Sequence, residues 1–217
     1  MDHIGKETRN NMMIKSFYTG PLSVNCYIAT DEATKKSFMV DPGGHNIDMV
    51  NYIKNNQLDM EYIILTHGHG DHMGGVPDMR KEFPNAKLIA CIHDKAMLED
   101  ANLNMSNMVY GYPITFSADQ YVADGETLKI GSMELKFLHT PGHTPGGMCI
   151  LVGDTLFSGD TLFEQSIGRT DFPGSSYPAI VNSIREKLFT LPDDTKVLPG
   201  HMSPTTIGFE KENNPFV

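Results

Sequence analysis

Two hydrophobic periods alternate along this chain. The runs IKSFYTG and NCYIATD are short and rich in β-branched and aromatic residues, and GPLSV between them predicts a hairpin. KSFMVDPGG predicts a third strand, halted by Asp-Pro-Gly-Gly. Ile47, Val50 and Ile53 then recur at helical spacing and predict a helix over 47–56. EYIIL is a short apolar strand that runs directly into THGHGDHMGG. A helix is expected from Met73 to Phe83, stopped by Pro84, followed by a buried strand, AKLIACI, and a helical segment, HDKAMLED. Strand alternating with helix marks an α/β arrangement.

Residues 101–119 show no clear period and are expected to form a mobile flap over a site. Beyond them, ETLKIGSMELKFLHT predicts a hairpin turning at Gly131-Ser132, and GGMCILVGDTLFSGD another turning at Gly153-Asp154. Ile180, Ile184 and Leu188 form one helical stripe; TKVLPGH is a last strand and SPTTIGFEKE a closing helix. No repeat or low-complexity linker divides the chain. The pattern predicts one domain over 13–217, two packed sheets with helices outside, after a flexible polar lead-in over 1–12.

Bulk properties narrow the partners. The formal net charge of −10 disfavours nucleic acid, whose binders are more often basic. No apolar run approaches the ~20 residues that span a bilayer, so no membrane partner is expected. The start, MDHIGKETRNNMM, is too polar for a secretory signal. Cys26, Cys91 and Cys149 are odd in number and contain no C-x-x-C pair, which argues against a disulfide framework and for a reducing, cytoplasmic setting.

The chemistry concentrates in THGHGDHMGG. His67 and His69 are two apart, so on an extended segment both face one way. Asp71 and His72 follow at once, and Gly68 and Gly70 permit unusual backbone angles. An exposed polar loop is the competing interpretation, but the motif directly follows an apolar strand and opens a helix. More donors stand in the same setting: His143 in HTPGHTPG, Asp160 in LFSGDTLF and His201 in VLPGHMSP each follow a strand end beside Gly or Pro. Five histidines and two aspartates exceed what one tetrahedral ion needs, so two divalent ions are expected, with an aspartate between them. Zinc is the expected metal, with iron or manganese as alternatives.

In this order, THGHGDH, PGHTPG, SGDTLF and LPGH resemble the metallo-β-lactamase superfamily over nearly the whole chain after its first dozen residues. The resemblance implies a four-layer αββα sandwich with the metal centre at one edge of the sheets. It implies one metal held by His67, His69 and His143, a second by Asp71, His72 and His201, and Asp160 as the bridge. Within the superfamily, GPLSVNCYI, DPGG, SIGRTDFPG and the end NNPFV resemble the short hydroxyacylglutathione hydrolase (glyoxalase II-like) group. Longer members of that group carry a C-terminal helical region that helps grip glutathione, and this chain stops soon after His201. Ser203 stands where the long form has a tyrosine, and Arg169 is the counterpart of its substrate-contacting lysine.

The activity implied is hydrolysis of a small-molecule thioester such as S-lactoylglutathione, with Asp71 orienting the nucleophile and taking its proton. Arg169 is expected either to bind an anionic end of the substrate or to pair with Asp171. Tyr110 and Tyr112 are expected either to shape the acyl pocket from the flap or to pack against it. His139 is expected to be buried or to support a ligand, and His93 to cap the helix it starts. Two other chemistries of the superfamily compete. One is persulfide oxygenation at a single iron held by His67, His143 and Asp160; the other is phosphodiester or nucleic-acid cleavage.

Overall fold

The computed structural model describes residues 12–217. The expected lead-in therefore lies outside the described residues except for Met12, which already belongs to the first strand.

The first half folds as a six-stranded sheet, β1 (Met12–Thr19), β2 (Val24–Asp31), β3 (Lys36–Val40), β4 (Asp59–Ile64), β5 (Lys87–Cys91) and β6 (Gln120–Val122), in that spatial order. The first three pair antiparallel as a meander; β3 to β6 run parallel, joined by helical crossovers. These crossovers contain α1 (Ile47–Asn55), α2 (Gly70–Met73), α3 (Val76–Glu82), α4 (Lys95–Leu98) and α5 (Ser106–Tyr110). The second sheet holds β7 (Thr127–Ile130), β8 (Met133–His139), β9 (Met148–Val152), β10 (Thr155–Gly159), β13 (Lys196–Pro199) and β14 (Thr205–Thr206). A small hairpin, β11 (Leu162–Phe163) with β12 (Ser166–Ile167), stands apart; α6 (Tyr177–Ser183) and α7 (Ile207–Asn213) complete the chain.

Strand alternation builds three apolar layers. In β2 every residue is buried, because Cys26 and Ile28 meet the helices while Tyr27 and Ala29 meet the opposite sheet. Met49, Val50 and Ile53 of α1 and Val76 and Met79 of α3 pack on the outer face of the first sheet. Phe38, Ile64 and Ile89 face Phe137, Ile150 and Phe157 between the sheets. Ile180 of α6, with Ile184 and Leu188 in the wider turn that follows it, covers Cys149, Leu156 and Val197 on the far side. Helix, sheet, sheet, helix is the αββα sandwich expected from the sequence.

Three details differ from the pattern. Ile47 is exposed, and Met49 takes its place on the buried face of α1. The helix expected from Met73 to Phe83 breaks at Gly74-Gly75, where the chain passes too close to Tyr110 and to the backbone of Pro42 and Gly44 to admit a Cβ. Residues 101–119 contain α5 and are tied down: Asn104 is buried, its amide donates to the Ile114 carbonyl at 2.9 Å, and its own carbonyl accepts from Gly70 N at 2.6 Å.

Candidate metal centre

The donors come from the C-terminal ends of strands in both sheets. β3 and β4 run parallel, so Asp41 and the loop carrying His67 and His69 leave the first sheet on the same edge. The loops with His143, Asp160 and His201 leave β8, β10 and β13, which also point one way. Backbone hydrogen bonds lock the two edges together: Met148 N donates to Thr66 O and Asn25 N to Gly200 O, both at 2.8 Å. The Asn25 amide adds bonds to the carbonyls of Pro199, at 3.0 Å, and Met202, at 2.9 Å, on either side of His201.

All seven sequence-predicted donors converge here. Ligand atoms of His67, His69 and His143 lie within 4.8 Å of one another, and so do those of Asp71, His72 and His201. Asp160 faces both sets. Its Oδ1 is 3.3 Å from His72 Nε2, while its Oδ2 is 3.5 Å from His143 Nε2 and 3.8 Å from His201 Nε2. Asp71 Oδ2 lies 3.3 Å from His201 Nε2 and 3.7 Å from His72 Nε2.

The residues fit divalent metal. His67 Nε2, His72 Nε2 and Asp160 Oδ1 are buried without a hydrogen-bond partner, a rare state for polar atoms unless something else satisfies them. Burial pushes the His67 ring far below its usual range, and burial together with His143 takes His69 down to about 3, so both stay in the neutral form a metal needs. At His72 burial works the same way, but the surrounding Asp160, Asp71 and Asp41 carboxylates outweigh it and favour positive charge there. Burial raises Asp160 and Asp71, yet the neighbouring histidines outweigh it and hold both carboxyls below their usual range, hence ionised.

Two carboxylates that the motif reading passed over hold this arrangement. Asp41, at φ 51°, accepts from Thr66 N at 2.7 Å, Thr66 Oγ1 at 2.6 Å and His72 Nδ1 at 2.9 Å. Its proximity to His67 and His72 makes it a geometric candidate for metal binding, but its oxygens are already engaged, so it orients His72. Asp94 accepts from Gly68 N at 2.9 Å, Gly146 N at 2.6 Å and Thr144 Oγ1 at 2.8 Å, clamping the two loops that carry His67, His69 and His143. The one available signal was position, since Asp41 directly follows a strand, as the donors do. His143 Nδ1 donates to Arg169 O at 2.8 Å, which aims its Nε2 at the centre.

A cavity of about 280 Å³ opens over the centre. Besides His69, Asp71, His143, Asp160 and His201, its wall consists of Leu22, Met105, Met108, Val109, Phe163 and Phe172, with Arg169. Arg169 is at the cavity and also paired with Asp171, through Nε at 2.9 Å and Nη2 at 2.7 Å, while stacking on Phe172 at 4.3 Å. Tyr110 and Tyr112, expected to shape this pocket, are not in its wall. Met108 and Val109 of α5, with Met105 just before the helix at φ 62°, line the cavity, while Tyr110 turns the other way, where its hydroxyl donates to the Gly43 carbonyl. Tyr112 lies beyond the helix end at Gly111 and is exposed. His139 is half-buried and stacks on the exposed His93 at 4.6 Å, away from the donors.

A two-sheet sandwich with clustered His and Asp donors at one strand edge defines a class of metal-binding hydrolase folds. The metallo-beta-lactamase superfamily model matches residues 19–201, and the chain belongs to that superfamily. The chain is 37% identical to a probable metallo-hydrolase, YqgX, of Bacillus subtilis, over 91% of this chain and 94% of that protein. It is 36% identical to the hydroxyacylglutathione hydrolase GloC of Haemophilus influenzae, over 89% of this chain and 92% of that one. The crystal structure of the BLEG-1 B3 metallo-beta-lactamase superposes with a TM-score of 0.88 at 38% identity, covering 94% of this chain and 99% of that one.

Proposed function

We propose that this protein is a dinuclear metal-dependent thioester hydrolase, acting on low-molecular-weight acyl thioesters. The observation that carries the reading is Asp160, whose two oxygens face the two separate donor trios, leaving Oδ1 buried and unpartnered. The similarity to the hydroxyacylglutathione hydrolase GloC supports the substrate class.

His67, His69 and His143 would hold one ion, Asp71, His72 and His201 the other, and Asp160 both. Bound there, the metal pair supplies Lewis acidity and makes water acid enough to ionise near neutral pH. The chain does the rest. Asp71, held ionised, would orient the attacking water and take its proton. The cavity wall holds the acyl group and excludes bulk water, and the backbone carbonyl of Arg169 fixes the His143 ring. Neither a serine nor a cysteine nucleophile is required. All three cysteines are buried, and burial raises Cys91 and Cys149 to about 11, well away from the thiolate form.

The test is turnover by the metal-loaded protein of a panel of thioesters, β-lactams, phosphodiesters and a glutathione persulfide. Thioester cleavage well above the rest is expected. Oxygen consumption on the persulfide, or cleavage confined to β-lactams or phosphodiesters, would reassign the centre.

A further inference from the structure

We infer that, within the thioester class proposed above and resting on it, this cavity selects esters with a short apolar acyl chain on an uncharged thiol over esters of a multiply charged thiol peptide. The six wall residues that are not donors or Arg169 are all apolar, and none carries a side-chain N–H, O–H or oxygen. Among the described residues, Arg169 is the one Lys or Arg in the wall, and both its Nε and its Nη2 are already engaged by Asp171. A peptide thiol brings carboxylates and an ammonium group. Taken out of water without partners, these cost more than they return.

An alkyl chain meets the opposite conditions. Leu22 and Met108 are 54% and 70% exposed at the cavity rim, so apolar surface stands in water until something covers it. Met105 and Met108 are unbranched and adapt to chains of different length. About 280 Å³ is at the small end for a ligand pocket, so it encloses only part of an ester, the acyl chain next to the centre. Asp171 is then a specificity-determining residue: its carboxylate holds the place an anionic substrate would take on Arg169.

The experiment compares acetyl, butanoyl and hexanoyl thioesters of N-acetylcysteamine with the matching glutathione esters, using the metal-loaded protein. kcat/KM should rise about three- to fourfold per added methylene until the cavity is full. Each N-acetylcysteamine ester should exceed its glutathione counterpart. Met108→Ser, at an exposed position where truncation does not threaten folding, should flatten the chain-length dependence. Asp171→Asn should raise kcat/KM for the glutathione esters about two- to fivefold, the range of an exposed ion pair, and leave the N-acetylcysteamine series in its original order. A flat chain-length profile, a preference for glutathione esters, or an Asp171→Asn variant indistinguishable from the parent overturns the inference and leaves the thioesterase reading standing. No turnover of any thioester overturns both.

Discussion

His72 Nδ1 donates to Asp41 Oδ2 at 2.9 Å, with both side chains sealed from solvent. The bond fixes the ring so that Nε2, buried and without a partner, faces the carboxylates of Asp71 and Asp160. Asp41→Ala would leave His72 Nδ1 and Thr66 N unpaired, at about 1–3 kcal/mol for each buried group, with Thr66 Oγ1 keeping only His67 Nδ1 at 3.1 Å. Asp41→Asn keeps an acceptor and tolerates the left-handed backbone at this position. The asparagine variant is expected to fold and to bind metal about 10–100-fold more weakly. Metal titration beside a thermal melt checks this; unchanged affinity would mean that Asp41 does not orient a ligand.

Metal stoichiometry is the direct test of the two-ion reading. Chelator treatment is expected to lower the melting temperature by several degrees, because ions that bind only the folded chain stabilise it. Refilling should restore the melt and plateau at about two ions per chain, as the two donor trios require. A plateau at one ion, with His201→Ala lacking any effect on it, would point to a mononuclear centre.

Gly200 provides a steric test beside the donors. A Cβ there would lie 2.5 Å from both Asp160 Oδ1 and His72 Cε1. Gly200→Ala must displace one of them, and misplacing a reacting group by roughly 1 Å costs about 10²-fold in rate. The expected variant is folded by circular dichroism and deeply impaired in turnover. Near-parental kcat/KM would show that Asp160 and His72 can shift without consequence.

A stability prediction sits away from the centre. Asp31, at the end of β2, accepts from Ser132 N at 2.6 Å and Ala33 N at 3.0 Å, linking the first sheet to the β7–β8 turn of the second. The Ser132 bond is the leading cause that holds its carboxyl below the usual range. A lowered folded-state pKa means the contribution is fully present above the unfolded value and disappears as pH falls through the folded one. Asp31→Asn should therefore melt a few degrees lower than the parent at pH 7, with the gap closing toward pH 3. A pH-independent gap would locate the loss in packing instead of charge.

Much of the centre was legible before any fold was known. His67, His69, His143, Asp160 and His201 each follow a strand end, and strand ends are readable from local period and from Gly or Pro. The hairpin turns at Gly131-Ser132 and Gly153-Asp154 fall where the dipeptides place them. The tyrosines of the 101–119 segment were harder. That stretch shows no hydrophobic period, so nothing local revealed that Met105 and, from α5, Met108 and Val109 meet the cavity while Tyr110 turns to Gly43. The break at Gly74-Gly75 was equally hidden, because a helix through both glycines is locally acceptable and fails only against Tyr110 and the Pro42–Gly44 backbone.

By itself, then, the chain's order of residues determined which side chains can bind metal, that they lie at strand ends, and that alternating periods make a sandwich of sheets and helices. Those properties depend on neighbours a few positions apart. Tertiary structure alone decided that Asp41 meets Thr66 and His72, 25 and 31 residues away, that Asp94 clamps Gly68 to Gly146, and that Arg169 reaches the cavity. Each depends on where two sheets and their loops come to rest against one another. That is set by the packing of three apolar layers as a whole, and no single stretch of sequence carries it.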